Sequence, residues 1–71
     1  MTEYDAKVDS VLRCCDATLS NGFYRSRDEA LKAFGDRVWS AEFMDTSTKV
    51  AAIDECVKAG MLTRQEASSI L

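Results

Sequence analysis

The 71-residue sequence has no histidine and no proline, and it contains only three glycines. Histidine is the commonest general base and a common metal ligand, so its absence removes the usual groundwork for catalysis. We therefore expect no enzyme activity, no catalytic residues, no metal site and no cofactor. Gly22, Gly35 and Gly60 are the main candidates for breaks between secondary-structure elements.

The three cysteines do not form a disulfide framework or a zinc motif. Cys14 and Cys15 are adjacent, and neighbours on a helix point about 100° apart, so they cannot bridge each other without breaking the helix. The pair also lacks the two-residue spacer of common zinc ligands. We expect Cys15 to be a small core residue and Cys14 to be partly exposed, with free thiols as in a reducing cytoplasm.

The charge balance is acidic, and long apolar runs are missing. A formal net charge of −3 argues against a chain wrapped in nucleic acid, whose phosphates need a basic face. No apolar run approaches the roughly 20 residues that a membrane span needs, and the acidic first five residues do not resemble a signal peptide. We expect no membrane partner and a cytoplasmic location, or the host cytoplasm if the chain is viral.

Apolar residues recur at helical spacing, most clearly in the first predicted helix. One stripe there contains Tyr4, Val8, Val11, Leu12, Cys15 and Leu19. Capping residues at positions 2, 26, 45–48 and 63 mark the helix starts, with Glu29 and Glu66 completing capping boxes. The prediction is an all-α domain over residues 1–71, with three longer helices at about 2–20, 26–44 and 47–59 and a short C-terminal helix at 63–71. A small bundle and an orthogonal array both fit.

Gly35 lies inside the apolar pattern of the second predicted helix. A glycine there costs about 1 kcal/mol of helix stability relative to alanine. Either it allows a close helix contact, or it divides the segment into two short helices. We favour one continuous helix to about Met44.

An aromatic pair distinguishes the second predicted helix. On a helical wheel, Trp39 and Phe43 lie nearly opposite the predicted core face and four residues apart, where their rings would touch. Lys32 and Asp36 continue the same stripe. Such a surface is typical of a protein-binding hot spot. Two other interpretations are open: the rings turn into the core after a break at Gly35, or they seal a homodimer.

A second cluster favours nucleic acid instead. Arg25 and Arg27 lie close together with Tyr24 beside them, and aromatic and basic side chains together can bind a nucleic acid strand. The predicted hairpin of the last two helices is similar to a helix-turn-helix, although its second helix has one basic residue. Interleaved acids indicate instead a solvated face, with ion pairs such as Asp28–Lys32.

The sequence thus predicts a small acidic, non-enzymatic protein-binding module that modulates or inhibits a partner protein. In size and charge, the chain resembles the small accessory proteins that phages and other mobile elements use against host machinery and host defence. That resemblance implies a protein target without naming it, and no family motif is present. The alternatives are a nucleic-acid-binding or transcription regulator and a homo-oligomeric structural protein.

Overall fold

The structure, a computed structural model, describes residues 2–71, which form four α-helices and no strand. The helices are α1 (Glu3–Ser20), α2 (Arg27–Ser40), α3 (Thr46–Lys58) and α4 (Arg64–Ile70). The all-α prediction of three longer helices and a short C-terminal one is confirmed. None of these four helices has the length and apolarity to cross a bilayer.

Two of the helices begin with complete capping boxes. The Thr2 hydroxyl accepts a hydrogen bond from the backbone N–H of Asp5 at 3.1 Å, and the Asp5 carboxylate accepts one from the Thr2 N–H. Thr63 and Glu66 repeat this exchange at the start of α4, at 3.1 and 2.9 Å. Each box satisfies backbone donors that the first helical turn leaves unpaired.

The predicted box at the start of α2 forms in one direction only. The Ser26 hydroxyl accepts from the Glu29 N–H at 3.2 Å, but the Glu29 carboxylate accepts from the N–H of Arg25 at 3.0 Å. α3 begins at a third kind of cap, in which the Asp45 carboxylate accepts from the Thr48 N–H at 2.9 Å. The local sequence therefore specifies all four helix starts.

Glycines with positive φ end α1 and α3. Gly22 has φ +72° and Gly60 has φ +79°, a left-handed conformation that costs other residues strain. After α3, the N–H of Met61 reaches the carbonyl of Cys56 and that of Gly60 reaches the carbonyl of Val57, both at 3.0 Å. These two bonds form a Schellman motif, which directs the chain sharply into α4.

α2 ends at Ser40, and the prediction of a helix to Met44 is wrong at this end. The Lys49 ammonium of α3 donates a hydrogen bond to the Trp39 carbonyl at 2.9 Å, so it occupies a carbonyl of the last turn. Ala41 then adopts an extended conformation with ψ 127°. Turning the chain at this point buries the Met44 side chain in the core.

The core is formed mainly by α1, α2 and α3, with α1 packed against both of the others. Its largest fully buried side chains are Phe34, Ile53, Cys15 and Cys56. Cys14 is partly exposed, which together with the buried Cys15 confirms both expectations for this pair. Burial of these apolar side chains supplies the main driving force for folding.

Gly35 permits a close contact between α2 and α4. The helix runs through it without a break, so the alternative of two short helices is wrong. A Cβ atom at Gly35 would lie 3.1 Å from Cβ and Cγ2 of Ile70 in α4. This distance is shorter than an ordinary van der Waals contact between carbon atoms. The missing side chain therefore makes room for Ile70.

Candidate functional site

An open groove beside α2 brings together three of the four predicted partner-binding residues. Lys32, Asp36 and Trp39 line it together with Ile70 of α4, around a volume of about 420 Å³. Positions 32, 36 and 39 fall on one face of a helix because they are four and then three residues apart. Helical spacing alone was sufficient to predict this grouping.

Trp39 joins three helices while keeping part of its ring exposed. Its indole N–H donates a hydrogen bond to the carbonyl of Ile70, the last residue of α4. The Lys49 ammonium lies 5.9 Å from the ring centroid, at the outer limit of a cation–π contact. With 36% of the residue exposed, Trp39 combines a structural role with a surface available for binding.

Phe43 lies apart from the other three residues. It belongs to the connection after Ser40, is 54% exposed, and lines a separate pocket of about 210 Å³ with Cys14 and Val38. Because α2 ends before residue 43, the helical spacing that predicted a Trp39–Phe43 contact is absent. The structure therefore places the two rings in different environments.

Lys32 and Asp36 are exposed and form no ion pair within residues 2–71. The predicted ion pair between Asp28 and Lys32 is not among those formed by residues 2–71. The charges of Lys32 and Asp36 are therefore not neutralised by another side chain of residues 2–71. An exposed charge contributes more to the rate and selectivity of association than to stability.

The groove continues toward the start of α2. Lys32 and Asp36 also line a neighbouring hollow, whose far side is formed by Phe23 and Tyr24. These two rings pack edge to face, with centroids 5.1 Å apart and an interplanar angle of 83°. Phe23 is 79% exposed. We call the surface formed by Phe23, Lys32, Asp36 and Trp39 the α2 face.

Helical spacing predicted no role for Phe23. It lies in a connection outside any helical periodicity, so a helical wheel gives it no position. Its place on the α2 face depends on how residues 21–26 fold back along the helix. The one available sequence signal was a phenylalanine next to a tyrosine in a predicted connection.

The cluster predicted to bind nucleic acid also comes together, around a pocket of about 190 Å³ lined by Tyr24, Arg25 and Arg27. However, the Arg27 guanidinium is already occupied. Its Nε donates to Oε2 of Glu66 at 2.5 Å, and its Nη2 donates to Oε1 of Glu66 at 3.1 Å and to the carbonyl of Met61 at 2.9 Å. This bidentate arrangement is the strongest hydrogen-bonded contact that arginine makes with a carboxylate.

The Arg27–Glu66 pair is fully ionised at neutral pH. The hydrogen bonds from Arg27 lower the pKa of Glu66 to about 2, and the backbone N–H of Thr63 contributes to the same shift. The same contact raises the pKa of Arg27. The two residues are 39 positions apart in the sequence. The sequence pattern explained Glu66 only as part of the capping box at the start of α4, so it did not predict that Glu66 pairs with Arg27.

The buried Cys56 thiol has the character of a core residue. Two effects raise the pKa of the Cys56 thiol: first its hydrogen bond with Cys15, and second its burial away from water. A thiol held in its neutral form is a poor nucleophile and a poor metal ligand. Within residues 2–71, no three cysteine, aspartate or glutamate side chains lie close enough to hold a metal ion.

Comparisons with protein-family models, with curated proteins and with solved structures found no match to this chain.

Proposed function

We propose that this chain is a non-enzymatic protein-binding module that uses the α2 face to modulate or inhibit a partner protein. The observation that supports this most is the arrangement of the α2 face. An exposed aromatic ring lies at each end, Phe23 and Trp39, and two unpaired charges lie between them. Large rings surrounded by polar groups are typical of the anchors that supply most binding energy in protein interfaces.

The charge of the chain supports a partner with a basic surface. The formal net charge is −3, and Asp28 and Asp36 on this side of α2 have no ion pair within residues 2–71. Opposite charges accelerate association and select among partners. A basic surface that normally binds nucleic acid would be a suitable target, as for accessory proteins of phages and mobile elements acting in the host cytoplasm.

The competing nucleic-acid proposal has less support. Glu66 neutralises Arg27, and of the two arginines in that cluster only Arg25 is without an ion pair in the described chain. Nucleic acid binding depends on the number of phosphates that cations neutralise. Binding to nucleic acid, like dimerisation, is therefore kept as a competing outcome of the test.

The test compares two identical changes of charge. Asp36→Lys alters the α2 face, while Glu42→Lys alters an exposed acid in the α2–α3 connection that lines neither hollow of that face. Tagged chains are used to capture a partner from the source cell, and binding of the purified partner is then measured by calorimetry. We expect Asp36→Lys to weaken binding by about tenfold or more, because it opposes the partner's charge.

The control should bind within about twofold of the wild type, because exposed charges far from an interface have little effect. Equal weakening by both variants would show that only the overall charge matters, and would exclude the α2 face. Salt-sensitive capture of nucleic acid would support the regulator instead. A concentration-dependent dimer in light scattering, lost in Asp36→Lys, would support self-association.

A further inference from the structure

α4 depends on its neighbours for its helical structure. It has seven residues, whereas isolated helices shorter than about 12–15 residues are marginal in water. Of its side chains only Ala67 is buried, with Glu66 and Ile70 partly covered. The apolar surface that α4 buries, Ala67 and part of Ile70, is small beside the fully buried side chains of the core.

The contacts that anchor α4 are largely polar, and they lie at its two ends. Arg27 of α2 holds the first turn through Glu66 and holds the preceding connection through the carbonyl of Met61. Trp39, almost at the other end of α2, donates its indole N–H to the carbonyl of Ile70. Between the contacts of Arg27 and those of Trp39, the Ile70 side chain packs over Gly35.

Most of the buried apolar core lies outside α4. Apart from Leu62 and Ala67, every member of the buried apolar cluster lies in α1, α2, α3 or the connection between α2 and α3. Phe34 and Ile53 are its largest fully buried members. Segments with few buried apolar contacts open at lower free energy than the core to which they are attached.

We propose that α4 is a detachable lid. It undocks from α2 and α3 as a unit while α1–α3 remain folded, and the Arg27–Glu66 ion pair sets how often it opens. Opening uncovers Gly35 and the adjacent Leu31, so the protein has two states that differ in exposed apolar surface. This inference does not depend on the proposed function of the α2 face.

Hydrogen exchange of the intact protein at neutral pH, followed by NMR, tests the lid. The Ala67 amide reports on α4, because it bonds to the Thr63 carbonyl at 3.0 Å, and the Ile53 amide reports on the core. In the wild type, Ala67 should exchange at least about tenfold faster than Ile53. Glu66→Gln keeps a side chain able to cap the helix but removes the ionic contact with Arg27.

We expect Glu66→Gln to accelerate exchange at Ala67 by about threefold to thirtyfold, less than the full value of a charged hydrogen bond because the Arg27 side chain is half exposed to solvent. Ile53 should change by less than about twofold. The matched control is Glu55→Gln, which removes a surface ion pair with Lys58 on α3 and should leave both amides within about twofold. Arg27→Gln should reproduce the effect of Glu66→Gln from the opposite partner.

Three results would overturn the proposal. In the first, the two amides exchange equally slowly in the wild type. In the second, Glu66→Gln accelerates both amides by the same factor, so that α4 opens only when the whole chain unfolds. In the third, neither Glu66→Gln nor Arg27→Gln changes exchange at Ala67, which would remove the ion pair from any control of opening.

Discussion

The three longer helices and the short C-terminal helix are held in place by different physical forces. α1, α2 and α3 enclose fully buried apolar side chains such as Phe34 and Ile53. α4 is fastened mainly by hydrogen bonds from Arg27 and Trp39. Apolar burial changes little with pH or with moderate ionic strength, whereas exposed ionic contacts respond to both. The two regions should therefore respond differently to the same perturbation.

The largest expected effect follows from removing a large side chain from the core. Phe34→Ala removes a fully buried ring, which costs about 3–5 kcal/mol of unfolding free energy. A chain this small has a total stability of about the same size. We therefore expect loss of most helical signal at 25 °C and loss of a cooperative urea transition, both measured by circular dichroism.

The control for this change is Phe23→Ala, which deletes the same ring from a site that is 79% exposed. It should lower stability by no more than about 1 kcal/mol, mainly through the lost edge-to-face contact with Tyr24. An unchanged urea midpoint in Phe34→Ala would contradict the assignment of Phe34 to the core.

An intermediate effect is expected from acid, and it should act on α4. The pKa of Glu66 is lowered to about 2 in the folded protein, from an ordinary value of 4.5. A lowered carboxyl pKa means that this contribution to stability is complete above about pH 4.5 and is lost as the pH falls through 2. Carboxyl ¹³C shifts should therefore show Glu66 titrating near pH 2.

Arg27→Gln sharpens this test, because it removes the first cause of the shift. In that variant the pKa of Glu66 should rise toward its ordinary value, although the Thr63 N–H keeps it somewhat low. Titration of wild-type Glu66 near pH 4.5 would mean that the ion pair is absent in solution.

The smallest effect is expected from Trp39→Phe. This change keeps an aromatic ring beside Lys49 but deletes the N–H that binds the Ile70 carbonyl. We expect α4 docking to weaken by about 0.5–1.5 kcal/mol, the usual net value of one hydrogen bond. Exchange at Ala67 reports this directly, and Ile53 serves as the internal reference. Equal acceleration of both amides would mean that Trp39 supports the core rather than α4.

Local signals were sufficient to predict where the helices begin. Capping side chains act within three residues, so Thr2 and Thr63 mark helix starts wherever they lie in the fold. The ends of α1 and α3 are also set by the local sequence, because Gly22 and Gly60 adopt positive φ without strain. Lys32, Asp36 and Trp39 were grouped correctly because one helix face carries all three.

Features set by distant contacts could not be predicted in this way. No breaker follows Ser40, and the sequence pattern remains helical to Met44. The helix ends at Ser40 because the Lys49 ammonium donates a hydrogen bond to the Trp39 carbonyl and the Met44 side chain packs into the core. Phe43 therefore lies outside the groove. The pairing of Arg27 with Glu66 likewise depends on a tertiary arrangement that no short window contains.

The division of the molecule into a core and a lid is tested most directly by the urea dependence of hydrogen exchange in the wild type. The slope of opening free energy against urea increases with the surface that opening exposes. We predict a shallow slope and a low opening free energy for Ala67, with a steep slope and the full unfolding free energy for Ile53. Identical slopes and free energies at the two amides would contradict this account.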